Sequence, residues 1–166
     1  MFTMGSALRG QPAADPALAI DFAVPRGPVL NYYLASLGVS FSVGLEGYDV
    51  TNGTLGPSPD TPGYASNWAS GDSVTITLPA SPAANSLSMR YALNSGSGLS
   101  IDLVPRDGGY ATYNVPLAPG GGGTHTWSSP TVFTHPDKVA LSSVVLTCTT
   151  AFGYYGVDTL LFGWVP

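Results

Sequence analysis

The chain has one cysteine, one lysine and two histidines in 166 residues, and each shortage removes a class of protein. A lone cysteine, Cys148, makes no internal disulfide, so ordinary core packing has to hold the fold. A chain this long buries roughly 70% of its unfolded surface, which is enough for one independent core. Cys148 follows the strand-like run 141–147 and reads as a quiet core or near-core thiol. A reactive thiol needs exposure and a basic neighbour, and nothing nearby in sequence offers the neighbour.

Charge is equally scarce, with ten acidic residues against five basic ones. Arg9, Arg26, Arg90, Arg106 and Lys138 are scattered, whereas a surface that tracks phosphates clusters its cations, so nucleic acid is not an expected partner. No apolar run reaches bilayer length, which argues against membrane insertion, and the acidic balance gives no cue for anionic lipid. Residues 1–18 lack a sustained apolar core and contain Gly5, Gly10 and Pro12, so no signal peptide is visible. There is also no amphipathic helical pattern of more than about three turns, which argues against an α/β fold. The surface must then be built from Gly, Ser, Thr, Asn and Pro, a composition shared by secreted adhesive domains and by subunits packed in particles.

What the chain does have is alternation. Residues 1–17 read as a flexible arm, broken by proline, ahead of one β-sandwich domain over 18–166. Residues 19–24 alternate briefly. Residues 29–37 read as either a short helical turn over one end or an edge strand. Val39, Phe41 and Val43 then alternate with Ser40 and Ser42, and 47–50 extends or follows that strand. Residues 51–71 read as a long loop interrupted by Tyr64 and Trp68, and loops of that length are often functional. Inward rows follow at Val74, Ile76 and Leu78, at Leu87, Met89 and Tyr91, and at Leu99, Ile101 and Leu103. Asp107-Gly108 is a turn signal leading into a strand at 110–117. Residues 120–123 form a glycine loop, 124–127 a short strand, 128–137 a connection, and 138–149 and 154–164 the last two strands. Short strands at this spacing predict an all-β, antiparallel two-sheet sandwich with jelly-roll topology.

Ile20-Asp21-Phe22, Gly38-Val39-Ser40-Phe41, Val74-Thr75-Ile76-Thr77-Leu78, Leu87-Ser88-Met89-Arg90-Tyr91 and the closing Tyr155–Gly163 run resemble the galactose-binding-like jelly rolls of bacterial extracellular proteins. Those include many carbohydrate-binding modules and sandwich domains found ahead of sorting tails. The resemblance implies an extracellular or particle-surface location. It also implies that the first and last strands lie together, with an acidic residue near each able to hold structural calcium; Asp21 and Asp158 match those positions. Calcium takes six to eight oxygens, so two carboxylates would need loop carbonyls as well. The chain lacks an acidic pair within either segment, and a second reading stays open in which both carboxylates face solvent or bond turn amides.

Sugars present C–H faces that stack on aromatic rings and hydroxyls that need directed hydrogen bonds. Tyr64, Asn67 and Trp68, with Asp60 and Asp72 close by in sequence, fit that demand, and Trp127 offers a second platform. Against this, Trp68 and Trp127 also read as plugs for the open ends of the sandwich. The residues therefore point to a non-catalytic glycan-binding or surface-recognition domain. The alternative is a structural subunit of a homo-oligomeric particle or filament, such as a phage capsid or surface protein, with glycan or protein as partner. An enzyme is the least favoured class. His125 and His135-Pro136-Asp137 would have to converge with another acid, no Gly-x-Ser-x-Gly elbow occurs, and the ten acids nominate no facing pair.

Overall fold

A computed structural model describes residues 17–22, 27–42, 45–49, 63–67, 73–93, 96–115, 127–150 and 155–166, with backbone alone at 27–28, 45–49, 63 and 67. The expected arm falls almost wholly outside these residues, as do Asp60, Trp68, Asp72 and His125. Among the described residues the chain forms β1 (Leu18–Ile20), β2 (Gly27–Pro28), α1 (Leu34–Leu37), β3 (Ser40–Phe41), β4 (Leu45–Asp49), β5 (Gly63–Asn67) and β6 (Ser73–Thr77). The second half adds β7 (Ser86–Leu93), β8 (Leu99–Pro105), β9 (Ala111–Val115), β10 (Thr131–Thr134), β11 (Leu141–Cys148) and β12 (Tyr155–Gly163). No described helix is long and apolar enough to cross a membrane.

Two antiparallel sheets pack face to face, consistent with jelly-roll topology. The seven-stranded sheet runs β10-β7-β12-β5-β4-β2, with β1 also on β12, and the five-stranded sheet runs β3-β6-β11-β8-β9. Alternation explains the core. In β8, Leu99, Ile101 and Leu103 are buried while Ser100, Asp102 and Val104 are partly exposed. β6 repeats this with Val74 and Ile76 inward, and β11 sends Leu141, Val144, Leu146 and Cys148 into the same layer. Cys148 is a buried free thiol.

Three expectations are corrected. Within the expected loop 51–71, residues 63–67 form β5, an interior strand paired with both β12 and β4. Its Gly-Tyr-Ala-Ser-Asn sequence has low strand propensity, and two flanking ladders supply what propensity does not. Within the expected connection 128–137, Thr131–Thr134 forms β10 on β7; with Phe133 its one buried side chain, its pattern is too short to recognise. Trp127, placed at the end of a short strand, is not in one.

Of the two readings for 29–37, the helical one holds. α1 ends at Gly38, whose φ of 69° is left-handed and whose N–H donates to Leu34 O. A Cβ at Gly38 would stand 3.1 Å from Pro79 Cβ, so glycine serves both the turn and the close approach. This segment packs along the side of the sandwich between β1 and β3 with an aromatic cluster: Tyr33 meets Phe22 edge-on at 6.4 Å and Phe41 at 6.2 Å. The Tyr33 hydroxyl is buried and, among the described residues, has no hydrogen-bond partner. Burial, and secondarily the Asp21 charge and Tyr32, push its pKa well above the usual tyrosine value, against a smaller opposing effect of the Phe22 backbone.

The end of the sandwich where β12 finishes is tied by Asn85. Its amide donates to Val165 O at 2.9 Å and its carbonyl accepts from Val165 N at 2.8 Å, while its backbone N donates to Gly163 O and its backbone O accepts from His135 N. The side-chain amide also donates to Lys138 O at 3.4 Å, so one buried residue joins the C-terminal residues to the turn between β10 and β11. Asn85→Ala, which orphans both Val165 groups, is expected to cost about 2–3 kcal/mol in urea unfolding; a change below about 0.5 kcal/mol would contradict this role. Tyr33 favours its neutral form in the fold, so its contribution is fully present below the unfolded value near 10 and is lost as pH rises beyond it. Tyr33→Phe is expected to be neutral or stabilising at pH 7 and to lessen the alkaline loss of stability; parallel stability curves for the two proteins would contradict the burial of this hydroxyl.

Candidate functional site

The strongest constellation lies on the outer face of the seven-stranded sheet. Leu87, Met89 and Leu93 of β7 face the core, so Arg90 and Ala92 face away from it. By the same alternation Gly156 and Asp158 of β12, and Tyr64 and Ser66 of β5, share that outer face. Ala92 pairs with Gly156, and Gly156 with Ser66, giving a row of small residues across three strands. In the next row Arg90 pairs with Asp158, and continuing the register of β12 and β5 by one residue brings Tyr64 beside Asp158.

Trp127 packs against this face. Tyr64 and Ala92 form a hydrophobic cluster separate from the main core, with the partly buried Trp127 against it. The Tyr64 and Trp127 rings meet edge-on at 5.2 Å and 67°. The next residue fixes the indole in place: Ser128 N donates to Tyr91 O at 2.8 Å, Tyr91 N to Ser128 Oγ at 3.0 Å, and Arg90 Nη1 to Ser128 O at 3.1 Å. Trp127 Nε1 is buried and, among the described residues, has no acceptor. The result is an aromatic ring on a rigid support, beside a register-paired cation and carboxylate.

The sequence candidates fall unevenly around this support. Trp127 is its centre. Tyr64 is only 1% exposed, because it lies against Trp127, and it supports the indole rather than offering a face of its own. Asn67 ends β5 opposite Tyr155 and Leu45, with its side chain outside the description. His135 is buried; its Nδ1 accepts from Asp137 N at 3.2 Å, which leaves Nε2 to donate to Gly109 O at 3.0 Å. Arg90, Ser66 and Ser128 were not singled out by sequence. The alternation of Arg90 with Met89 and Tyr91 showed its face, but nothing local showed its cross-strand partner.

Asp21 and Asp158 are brought near one another, since β1 pairs with β12 through Ile20 and Leu160. Asp158 is fully buried and accepts from Thr159 Oγ1 at 3.1 Å, whereas Asp21 is exposed. The β12–β7 register shifts between Asp158 and Leu161, and Thr159 and Phe22 take positive φ of 47° and 53° at this junction. Among the described residues no three His, Cys, Asp or Glu side chains lie together as a metal site. Calcium at Asp21 and Asp158 would need backbone carbonyls or water to complete its six to eight oxygens, and Arg90 stands in register opposite Asp158.

No family model and no curated protein matches the sequence. Solved structures do. TmCBM61 in complex with beta-1,4-galactotriose is 12% identical, with 76% of this chain and 87% of that one covered and a TM-score of 0.48. CsCBM6-3 from Clostridium stercorarium in complex with cellobiose is 18% identical, with the same 76% and 87% coverage and a TM-score of 0.44. The Agl-KA catalytic domain is 11% identical, with 99% of this chain but 30% of that one covered and a TM-score of 0.49. At these identities and scores no residue's role passes from them to this chain.

If Arg90 rather than calcium balances Asp158, melting in calcium and in chelator will give the same midpoint, and Arg90→Met will lower it in both. A midpoint raised several degrees by calcium would reverse that assignment in favour of an ion at Asp21 and Asp158.

Proposed function

We propose that the chain is a non-catalytic binding domain that holds a neutral glycan on the outer face of its seven-stranded sheet. The observation that carries this is the fixed indole of Trp127, seated against Tyr64 and Ala92 and anchored through Ser128. A ring already immobilised loses little freedom when a sugar face stacks on it. Arg90 supplies N–H donors for sugar hydroxyls, and Asp158 in register with it balances its charge, which favours neutral over acidic sugars. Asn67, Asp60 and Asp72 are assigned the remaining polar contacts and Trp68 the second ring. An extracellular or particle-surface address accords with such a ligand.

The reading as a homo-oligomeric structural subunit has its own support. Further along the same outer face, Val132 pairs with Ser88, Ser88 with Leu161, and Leu161 with Ala19; Val132 is 57% exposed. Such a row suits burial against another copy. Sedimentation across concentration separates the two, because a closed large assembly would contradict the monovalent module.

The direct test is a broad array of neutral and acidic oligosaccharides, probed with the wild type and with Trp127→Ala. Binding confined to neutral glycans, weakened at least about tenfold by the substitution, is expected. Trp127 lies outside the main core, so the variant should keep a cooperative melt. No glycan bound by the wild type, or equal binding by the folded variant, would contradict the proposal.

A further inference from the structure

Where β1 leaves β12, midway along that strand, a second surface is built that the glycan site does not use. Tyr32 is 56% exposed, and Leu30 and Leu34 on either side of it are 37% and 48% exposed, while Val29 and Tyr33 between and beside them are buried. These outward side chains sit on a closed turn: Tyr32 N donates to Val29 O at 2.7 Å and Leu34 N to Asn31 O at 3.0 Å. The Tyr32 ring is held edge-on against Tyr33, centroids 5.1 Å apart at 70°, and Tyr33 is in turn packed against Phe22 and Phe41. The aromatic face is therefore fixed before anything binds it. Asp21, exposed after the end of β1, immediately precedes Phe22, whose ring packs against Tyr33, and this brings the carboxylate to the same cluster.

We infer that this surface takes an arginine side chain from a basic, leucine-flanked segment of a partner protein. The guanidinium plane stacks on Tyr32, the Asp21 carboxylate accepts its N–H groups, and the aliphatic neighbours lie on Leu30 and Leu34. Charge chooses this occupant. The chain carries a net charge of −5, and the described cations are engaged elsewhere: Arg90 with Ser128 O, Lys138 with Pro166 O, and Arg106 with Pro79 O. A carboxylate already in one interaction still has lone pairs for a fork of donors. A sugar is disfavoured because the exposed neighbours Leu30 and Leu34 bring no side-chain donors or acceptors to this segment. An anionic membrane is disfavoured by the sign of the charge. Arginine is favoured over lysine because its flat, weakly hydrated group both stacks and pairs with a carboxylate in two places.

The test is an amide NMR titration of the full chain with a capped Leu-Arg-Leu-Arg peptide and with its citrulline counterpart, which keeps the shape and loses the charge. Shifts at Asp21, Asn31, Tyr32 and Leu34 are expected with the arginine peptide alone, weakening as salt rises. Asp21→Asn and Tyr32→Ala should each weaken binding at least about tenfold, and Tyr32→Phe, which keeps the ring, should retain it. Both positions are exposed, and well-dispersed spectra of the variants exclude unfolding as the cause. Equal binding of the citrulline peptide, indifference to Asp21→Asn, or shifts confined to other residues would overturn the inference, as would the same residues responding to neutral oligosaccharides instead. The glycan proposal stands or falls separately, on the array and Trp127.

Discussion

β12 is the strand on which the rest of the molecule depends. One edge carries β7 along most of its length, and the other carries first β5 and then β1, end to end. Its inward residues Tyr155, Val157, Leu160 and Phe162 are fully buried in the core that both sheets share. The ladder shift after Asp158 and the positive φ of Thr159 fall where β5 gives way to β1. A β-branched residue in that conformation is strained, and it persists because the ladders on both sides fix the backbone.

The same strand makes the candidate site. Gly156 leaves the sheet surface low between Ala92 and Ser66, and Asp158 comes into register with Arg90. Ser128, bonded to the backbone of Tyr91, then delivers Trp127 against Tyr64 and Ala92. Three segments far apart in sequence thus meet because β12 pairs with β7 and β5 together. A binding surface on paired strands is held more firmly than one on loops, and this suits a ligand recognised through ring stacking.

Most of the fold was legible because β6, β7, β8, β11 and β12 each carry apolar side chains at alternate positions for five residues or more. β5 was hidden because its residues are small and polar apart from Tyr64, and β10 because four residues with one buried side chain make no pattern. Trp127 was legible as an aromatic that needs explaining. Its supports were not, because Arg90, Asp158 and Ser128 acquire their meaning from cross-strand register, which no local pattern encodes. Asp158 illustrates the cost: sequence shows a carboxylate near the chain's end, whereas the structure adds that Arg90 is its cross-strand partner.

The central claim, that Trp127 is the ring on which a ligand stacks, is tested most directly by the indole N–H region of a nitrogen-15 spectrum recorded while a bound oligosaccharide is titrated, with Trp127→Phe to assign its peak. The Trp127 indole peak is expected to move in step with saturation. A Trp127 peak that stays fixed while the Trp164 peak or distant amides respond would contradict it.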